Sequence, residues 1–293
     1  LGVLLLVLSM LMWSLVGTFV KISLTMVDAT TVTFFRFFFG VVFIALLLLI
    51  KDRKIQLRGN LTWIWFGAAG KTANYIFENI GLHYGYSYGN MLVTPIQTVF
   101  LLFMTVFYFK EKVTPANWVA AALCIGGVLI VSWNGLPLQL MFENSGFTTL
   151  LFAGAGIGAG FHFLSQKVLL RSMDAGNMNF SVFFWASLIT LMPLPWTFEW
   201  SGTVEADALL ALVVLGFITG VSFYFFSIAL AKVSFLVAVL VGNAAPLFMI
   251  LWGRLFFNDP VTLYIMVGTA VFLAGILLLN LPVRTGVKAP LEE

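Results

Sequence analysis

From Thr30 to Ile50 the chain reads TTVTFFRFFFGVVFIALLLLI, with a single ionisable group, Arg36. Comparable runs occupy roughly 2–21, 61–84, 87–109, 115–133, 147–167, 178–197, 207–229, 233–257 and 260–281. About 20 apolar residues is the length at which a helix crosses a bilayer, and such runs suit helices better than the ~10-residue alternation of a membrane barrel. Only 9% of the 293 residues are charged, against about a quarter in a soluble domain, and the mean hydropathy is +1.05. The fold class is therefore all-α and integral to a membrane, with ten transmembrane helices. The first run is too long and too continuous with the rest to be a cleaved signal. Connections are short, which leaves no room for an inserted soluble domain.

Charge placement orients the spans. With the N-terminus in the cytoplasm, the inner connections and tail hold eleven of the fifteen basic residues: Lys51, Arg53, Lys54, Arg58, Lys110, Lys112, Lys167, Arg171, Lys232, Arg284 and Lys288. The outer connections keep Lys21 and Arg254 and carry Asp28, Glu143, Glu199, Glu205, Asp207 and Asp259. The positive-inside rule selects this orientation, with both termini cytoplasmic in a multi-pass cell membrane protein. Equivalent loops of the two halves differ in sign. FKEKVTP follows the fourth span and FFNDPVT the ninth, and the basic residues are gone from the second. Two five-helix halves with an odd span count insert upside down relative to each other, which accounts for the inversion. The expected organisation is two inverted five-helix repeats, 1–140 and 141–284, with a cytoplasmic tail over 285–293. Inverted repeats recur in secondary transporters, whose sites lie near the midplane between the halves.

Four stretches carry a resemblance to a known family: TVTFFRFFFGVVFIALLLL, TPIQTVFLLFMTVFYFKEKVTPANWVAAALCIGGVLIV, IALAKVSFLVAVLVGNAAPLFMILWGRLFF and YIMVGTAVFLAGILLL. An arginine followed by phenylalanine in the second span, then proline, a charged turn, tryptophan and a glycine pair, resembles the ten-helix EamA-type members of the drug/metabolite transporter superfamily. The resemblance implies alternating access, with spans 1–4 and 6–9 around the path and spans 5 and 10 peripheral. It leaves the substrate open. One junction departs from the pattern. Leu230 precedes Pro246 by sixteen residues, whereas Leu82 precedes Pro95 by thirteen, across the aromatic stretch LHYGYSYGN.

The third span holds the charges that most need a reason. Lys71, Asn74 and Glu78 follow i, i+3, i+7 spacing and share one face, which must point into the bundle or a wet cavity. By helical rise Lys71 lies about 15 Å from the inner end and Glu78 about 26 Å. The two are about 10 Å apart along the axis, too far to be assumed partners. Arg36 and Glu78 have similar depths, so Arg36 is the candidate counter-ion, as a structural tie or as part of a substrate or proton site. Lys71 is too deep to reach the interface, so it is either uncharged or faces an anion such as a substrate carboxylate. His83 stands five residues past Glu78 as a candidate proton relay or as part of an interfacial aromatic belt. His162, in the glycine-rich sixth span, reads as a packing histidine. Pro95 and Pro246 each fall near the middle of a span, as hinges or static kinks, with Gln97 and Asn243 polar beside them. Trp13, Ser14 and Tyr224 complete the candidate substrate-binding set.

The chain reads as a secondary transporter of a small polar metabolite, an amino acid or related zwitterion or amine first, with proton-coupled export as one mode. Nucleosides, sugar derivatives and organic cations are the alternatives, and a membrane-embedded enzyme or a channel the more distant ones. No Walker or HExxH pattern is present, and the lone Cys124 cannot form an intramolecular disulfide. No cofactor, metal, catalytic residue or nucleic-acid partner is expected. The expected partners are the lipid bilayer, the substrate and protons, in a monomer or homodimer.

Overall fold

The computed structural model describes residues 2–108, 110, 113–135, 146–230 and 245–280. The expected boundary near residue 140, the tail 285–293 and Asn243 lie outside the described residues. Each of the ten expected spans contains helix. Span 1 is α1 (Gly2–Ser14) and α2 (Val16–Ser23), parted at Leu15. Spans 2 to 7 are α3 (Ala29–Asp52), α4 (Thr62–Tyr84), α5 (Val93–Phe107), α6 (Pro115–Trp133), α7 (Phe147–Leu169) and α8 (Ala175–Leu191). Span 8 is α9 (Ala206–Phe217), a π turn over Ile218–Ser222, and α10 (Phe223–Leu230). Spans 9 and 10 contain α11 (Ala245–Phe257) and α12 (Leu263–Asn280). Among the described residues, strand pairing is limited to one isolated bridge, Val27 with Trp200.

Polar residues at the loop edges set where the helices begin. Asp28 caps α3 by accepting from Thr30 N at 2.8 Å and Thr31 N at 3.0 Å, Thr114 caps α6 ahead of Pro115, and Asp174 caps α8 by accepting from Asn177 N at 2.9 Å. Such caps satisfy backbone donors that have no partner within the helix. Burial acts to raise the Asp174 carboxyl, but hydrogen bonds from Asn177 and from the backbone of Asp174 and Gly176 together outweigh it and hold the group below its ordinary value.

The packing obeys a two-fold exchange of halves. Span 3 packs along span 6, and its exchange partner, span 8, packs along span 1. The pairs 2–7 and 5–10 map onto themselves, and both are in contact. Hydrocarbon gives apolar side chains no reason to leave lipid, so helices associate where small residues let backbones approach. At the crossing of α4 and α7, a Cβ on Gly158 would lie 2.6 Å from the Gly70 carbonyl oxygen, and one on Gly70 would lie 2.9 Å from that of Gly158. The protein is thus an all-helical membrane protein of two inverted repeats. Its two ends differ. The basic end carries Lys51, Arg53, Lys54, Arg58, Lys167 and Arg171, and the acidic end carries Asp28, Glu199, Glu205, Asp207 and Asp259.

Pro95 requires a correction. The chain leaves helix after Tyr84, makes a single 3-10 turn over Gly89–Leu92, and starts α5 at Val93. Pro95 is therefore in the first turn of α5 rather than mid-span. The N–H it lacks would have had no partner within the α-helix there, so it breaks no helical bond. Pro246 is buried in the first described turn of α11, and what precedes Ala245 lies outside the described residues.

Candidate functional site

The stripe on α4 faces a cavity of about 270 Å³ between the halves. Its walls include Trp13 of α1, Arg36 of α3, Asn90 of the 3-10 turn, Thr94 and Gln97 of α5, His162 and Phe163 of α7, Phe223 and Phe226 of α10, and Met249 of α11. The lining also corrects which spans surround the path. Span 10 contributes Ile276, and span 7 contributes no lining residue among those described. Span 7 instead fills the space behind the wall, with Phe183 against Phe37 and Phe223 at 6.0 and 5.5 Å between ring centres.

Two cations share one tyrosine in this wall. Arg36, 1% exposed, lies with Cζ 3.5 Å from the centre of the Tyr75 ring. Its Nη1 donates to Asn79 Oδ1 at 2.8 Å and stands 3.8 Å from Glu78 Oε2. Asn79 in turn donates to Thr33 Oγ1 at 2.8 Å, so α3 and α4 are tied twice. Glu78 Oε1 accepts from Asn90 Nδ2 at 3.4 Å. Lys71, 6% exposed, lies with Nζ 4.2 Å from the Tyr75 ring centre and 4.6 Å from that of Phe223. Its Nζ donates to Asn74 Oδ1 at 2.9 Å. Asn74 donates to the Ala155 carbonyl on α7 at 3.1 Å, which turns its oxygen toward the lysine.

His162 belongs to the cavity rather than to packing alone. Its Nδ1 is 3.3 Å from the Gly67 carbonyl, and its Nε2 is 3.0 Å from Gln166 Nε2, which also donates to Asn179 Oδ1 at 3.1 Å. A donor on Gln166 and an acceptor on Gly67 fit a neutral imidazole with its proton on Nδ1. Irregular backbone adjoins the same wall. Trp13 Nε1 donates to Ser222 Oγ at 2.6 Å, next to the break at Leu15 on one side and at the π turn on the other. Single π turns in helices recur at functional sites.

Three expected site residues stand elsewhere. Ser14 donates to the Leu11 carbonyl at 2.8 Å and accepts from Trp252 Nε1 at 3.0 Å, outside the cavity lining. Tyr224 turns toward the basic end, its ring centre 5.5 Å from Lys51 Nζ. His83 is exposed at the acidic end, edge-on to Tyr84 at 4.8 Å, and lines a separate surface groove with Trp200. Each points away because the α-helix repeats every 3.6 residues, and neighbours in sequence do not share a face. Lys71, Asn74, Glu78, Arg36, Trp13 and Gln97 do meet at the cavity. Tyr75, Asn90 and Phe223 were not singled out by the sequence, whereas Asn79 reads there as glue between helices. Tyr75 had a visible signal, since it follows Lys71 by four and precedes Glu78 by three.

A membrane-spanning bundle of two inverted repeats around a cavity with polar groups is the architecture of a secondary transporter. The EamA-like transporter family matches residues 1–133 and 146–281, and the chain belongs to that family, within the drug/metabolite transporter superfamily. It is similar to proteins called uncharacterized inner membrane transporter YhbE, from Escherichia coli strain K12 and from Shigella flexneri, at 24% identity over 200 residues. These matches cover 66% of this chain and 62% of the relatives' own length. A crystal structure of another protein superposes with a TM-score of 0.71 at 17% identity, over 97% of this chain and 98% of that one, a likeness of fold alone.

Proposed function

We propose that the chain moves a small zwitterion of the amino-acid type by alternating access, without changing it chemically. One observation carries this reading. Lys71 is buried in the cavity wall with an amide and two aromatic faces around it, while the carboxylate of Glu78 is already engaged by Arg36 and Asn90. A cation so placed in a membrane needs an anion or a function. A substrate carboxylate supplies the anion, Glu78 receives the substrate amine or a proton, and Trp13, Phe163 and Phe226 hold the apolar remainder. The basic end faces the cytoplasm in a cytoplasmic membrane, following the charge bias of the loops.

Purified protein in liposomes, loaded with a panel of amino acids, amines, nucleosides and sugar derivatives, with and without a pH gradient, tests this. Transport of carboxylate-bearing zwitterions that falls sharply in Lys71→Met and in Glu78→Gln supports it. If both variants carry every accepted substrate at the wild-type rate, neither residue binds substrate. A preference for cations lacking a carboxylate assigns the cavity to organic cations instead.

A further inference from the structure

The segment Gly85–Leu92 interrupts the polypeptide between α4 and α5, at the junction where the first repeat is shorter than the second. It lies at the acidic end, and three features lock it there. Ser87 donates twice to Asp259 Oδ2, from its backbone N at 2.9 Å and its Oγ at 2.7 Å, although Asp259 is only 8% exposed. Tyr88 Oη donates to the Pro260 carbonyl at 3.1 Å. Ser87 also sits in a slot between two glycines from opposite halves. A Cβ on Gly17 of α2 would collide with the Ser87 carbonyl oxygen, and one on Gly253 of α11 would lie 2.6 Å from Ser87 Oγ. Three residues on, Asn90 reaches Glu78 in the cavity wall. The same short segment therefore touches the turn between spans 9 and 10 on one side and the site carboxylate on the other.

We infer that Gly85–Leu92 is the gate that closes the cavity at the acidic end, latched across the halves by Ser87 on Asp259 and tied to the site through Asn90 on Glu78. The inference rests on the alternating-access reading. Opening at this end requires Ser87 to leave its slot, since spans 1 and 9 close on it from both sides. Asp259 then loses two hydrogen bonds to a charged acceptor, and such bonds are the strong ones. A substrate amine or a proton at Glu78 competes for the carboxylate oxygen that Asn90 holds, so loading the site loosens the latch. Asn90 is in this sense a positioning residue.

The test uses the full chain in oriented membrane vesicles, with Cys124 replaced by alanine and Thr94→Cys as a reporter in the cavity wall. A membrane-impermeant thiol reagent is applied to each face separately. Asp259→Ala removes both hydrogen bonds and is expected to speed labelling from the acidic face by about a hundredfold, each bond to a charged group being worth about tenfold. Gly17→Ala and Gly253→Ala should do the same by wedging the slot, and Ser87→Ala less, because its backbone donor remains. Asn90→Ala should abolish any change in labelling caused by Glu78→Gln. In a separate arm, Ser87→Cys with Asp259→Cys is oxidised to a disulfide, which should stop transport until it is reduced. Unchanged acidic-face labelling in Asp259→Ala and Ser87→Ala, with both proteins monodisperse, overturns the gate, as does full transport by the cross-linked protein. Labelling needs no substrate, so it decides the gate even if the amino-acid reading fails.

Discussion

Arg36 and Lys71 are two buried cations resting on the same tyrosine, and they differ in what else surrounds them. Arg36 reaches across to a neighbouring helix, with Asn79, Glu78 and Thr33 binding α3 to α4, although its Nε has no hydrogen-bond partner among the described residues. Lys71 has one amide, and that amide is held in place from α7. A charge whose partners lie on a neighbouring helix serves the fold, because removing it leaves those partners buried and unsatisfied. A basic group at the cavity wall whose hydrogen-bond partner is on its own helix can serve a ligand. The lesson is that burial alone does not separate a structural ion from a functional one, whereas the helices on which its partners sit do.

The largest effect expected from breaking this contrast is on stability. Arg36→Met should destabilise the protein by about 3–5 kcal/mol, the usual cost of stranding one member of a buried pair, read as thermal unfolding in detergent. Adding Glu78→Gln should recover part of that loss. Failure to recover would show that Arg36 acts through Asn79 and Tyr75 rather than through the carboxylate. Lys71→Met should do the opposite, with stability held or raised while transport falls about tenfold or more. A rise in KM with the maximal rate kept would place Lys71 in substrate binding, and an unfolded variant would move it to Arg36's side of the comparison. Tyr75→Phe should cost about 1 kcal/mol or less. It removes the hydroxyl at 3.3 Å from Thr219 Oγ1 but keeps the ring beneath both cations. A loss as large as that of Arg36→Met would mean that the hydroxyl, not the ring, organises the wall. Smallest of all, Asp174→Ala should lower stability by about 1 kcal/mol through its helix cap and leave transport unchanged, as a control far from both cations.

Much of the site was legible in α4, since i, i+3, i+7 spacing put Lys71, Asn74 and Glu78 on one face before any partner was known. Depth counted along regular helices also put Arg36 beside Glu78. The same counting failed where the backbone stopped being regular. Counting along a continuous fourth helix puts Pro95 mid-span, whereas the break over Gly85–Leu92 resets the count. Ser14 and Tyr224 were chosen for chemistry and depth, but helix rotation turned both away from the cavity. Nothing local in span 8 announced the π turn that brings Ser222 to Trp13. Asn90 meets Glu78 only because the chain breaks between α4 and α5, and Ser87 meets Asp259 only through the approach of the two halves.

By itself the sequence determined the membrane class, the helical content, the span count and the inverted repeat. In hydrocarbon each span must satisfy its own backbone hydrogen bonds, so length and apolarity suffice to reveal it. Tertiary structure alone decided which polar side chains meet. That depends on how each helix is rotated and where it breaks, and both are set by close packing at glycines from different spans. Hence the charges of α4 and the pairing of Arg36 with Glu78 could be read from the sequence, while the contacts of Glu78 with Asn90 and of Lys71 with Tyr75 and Phe223 could not.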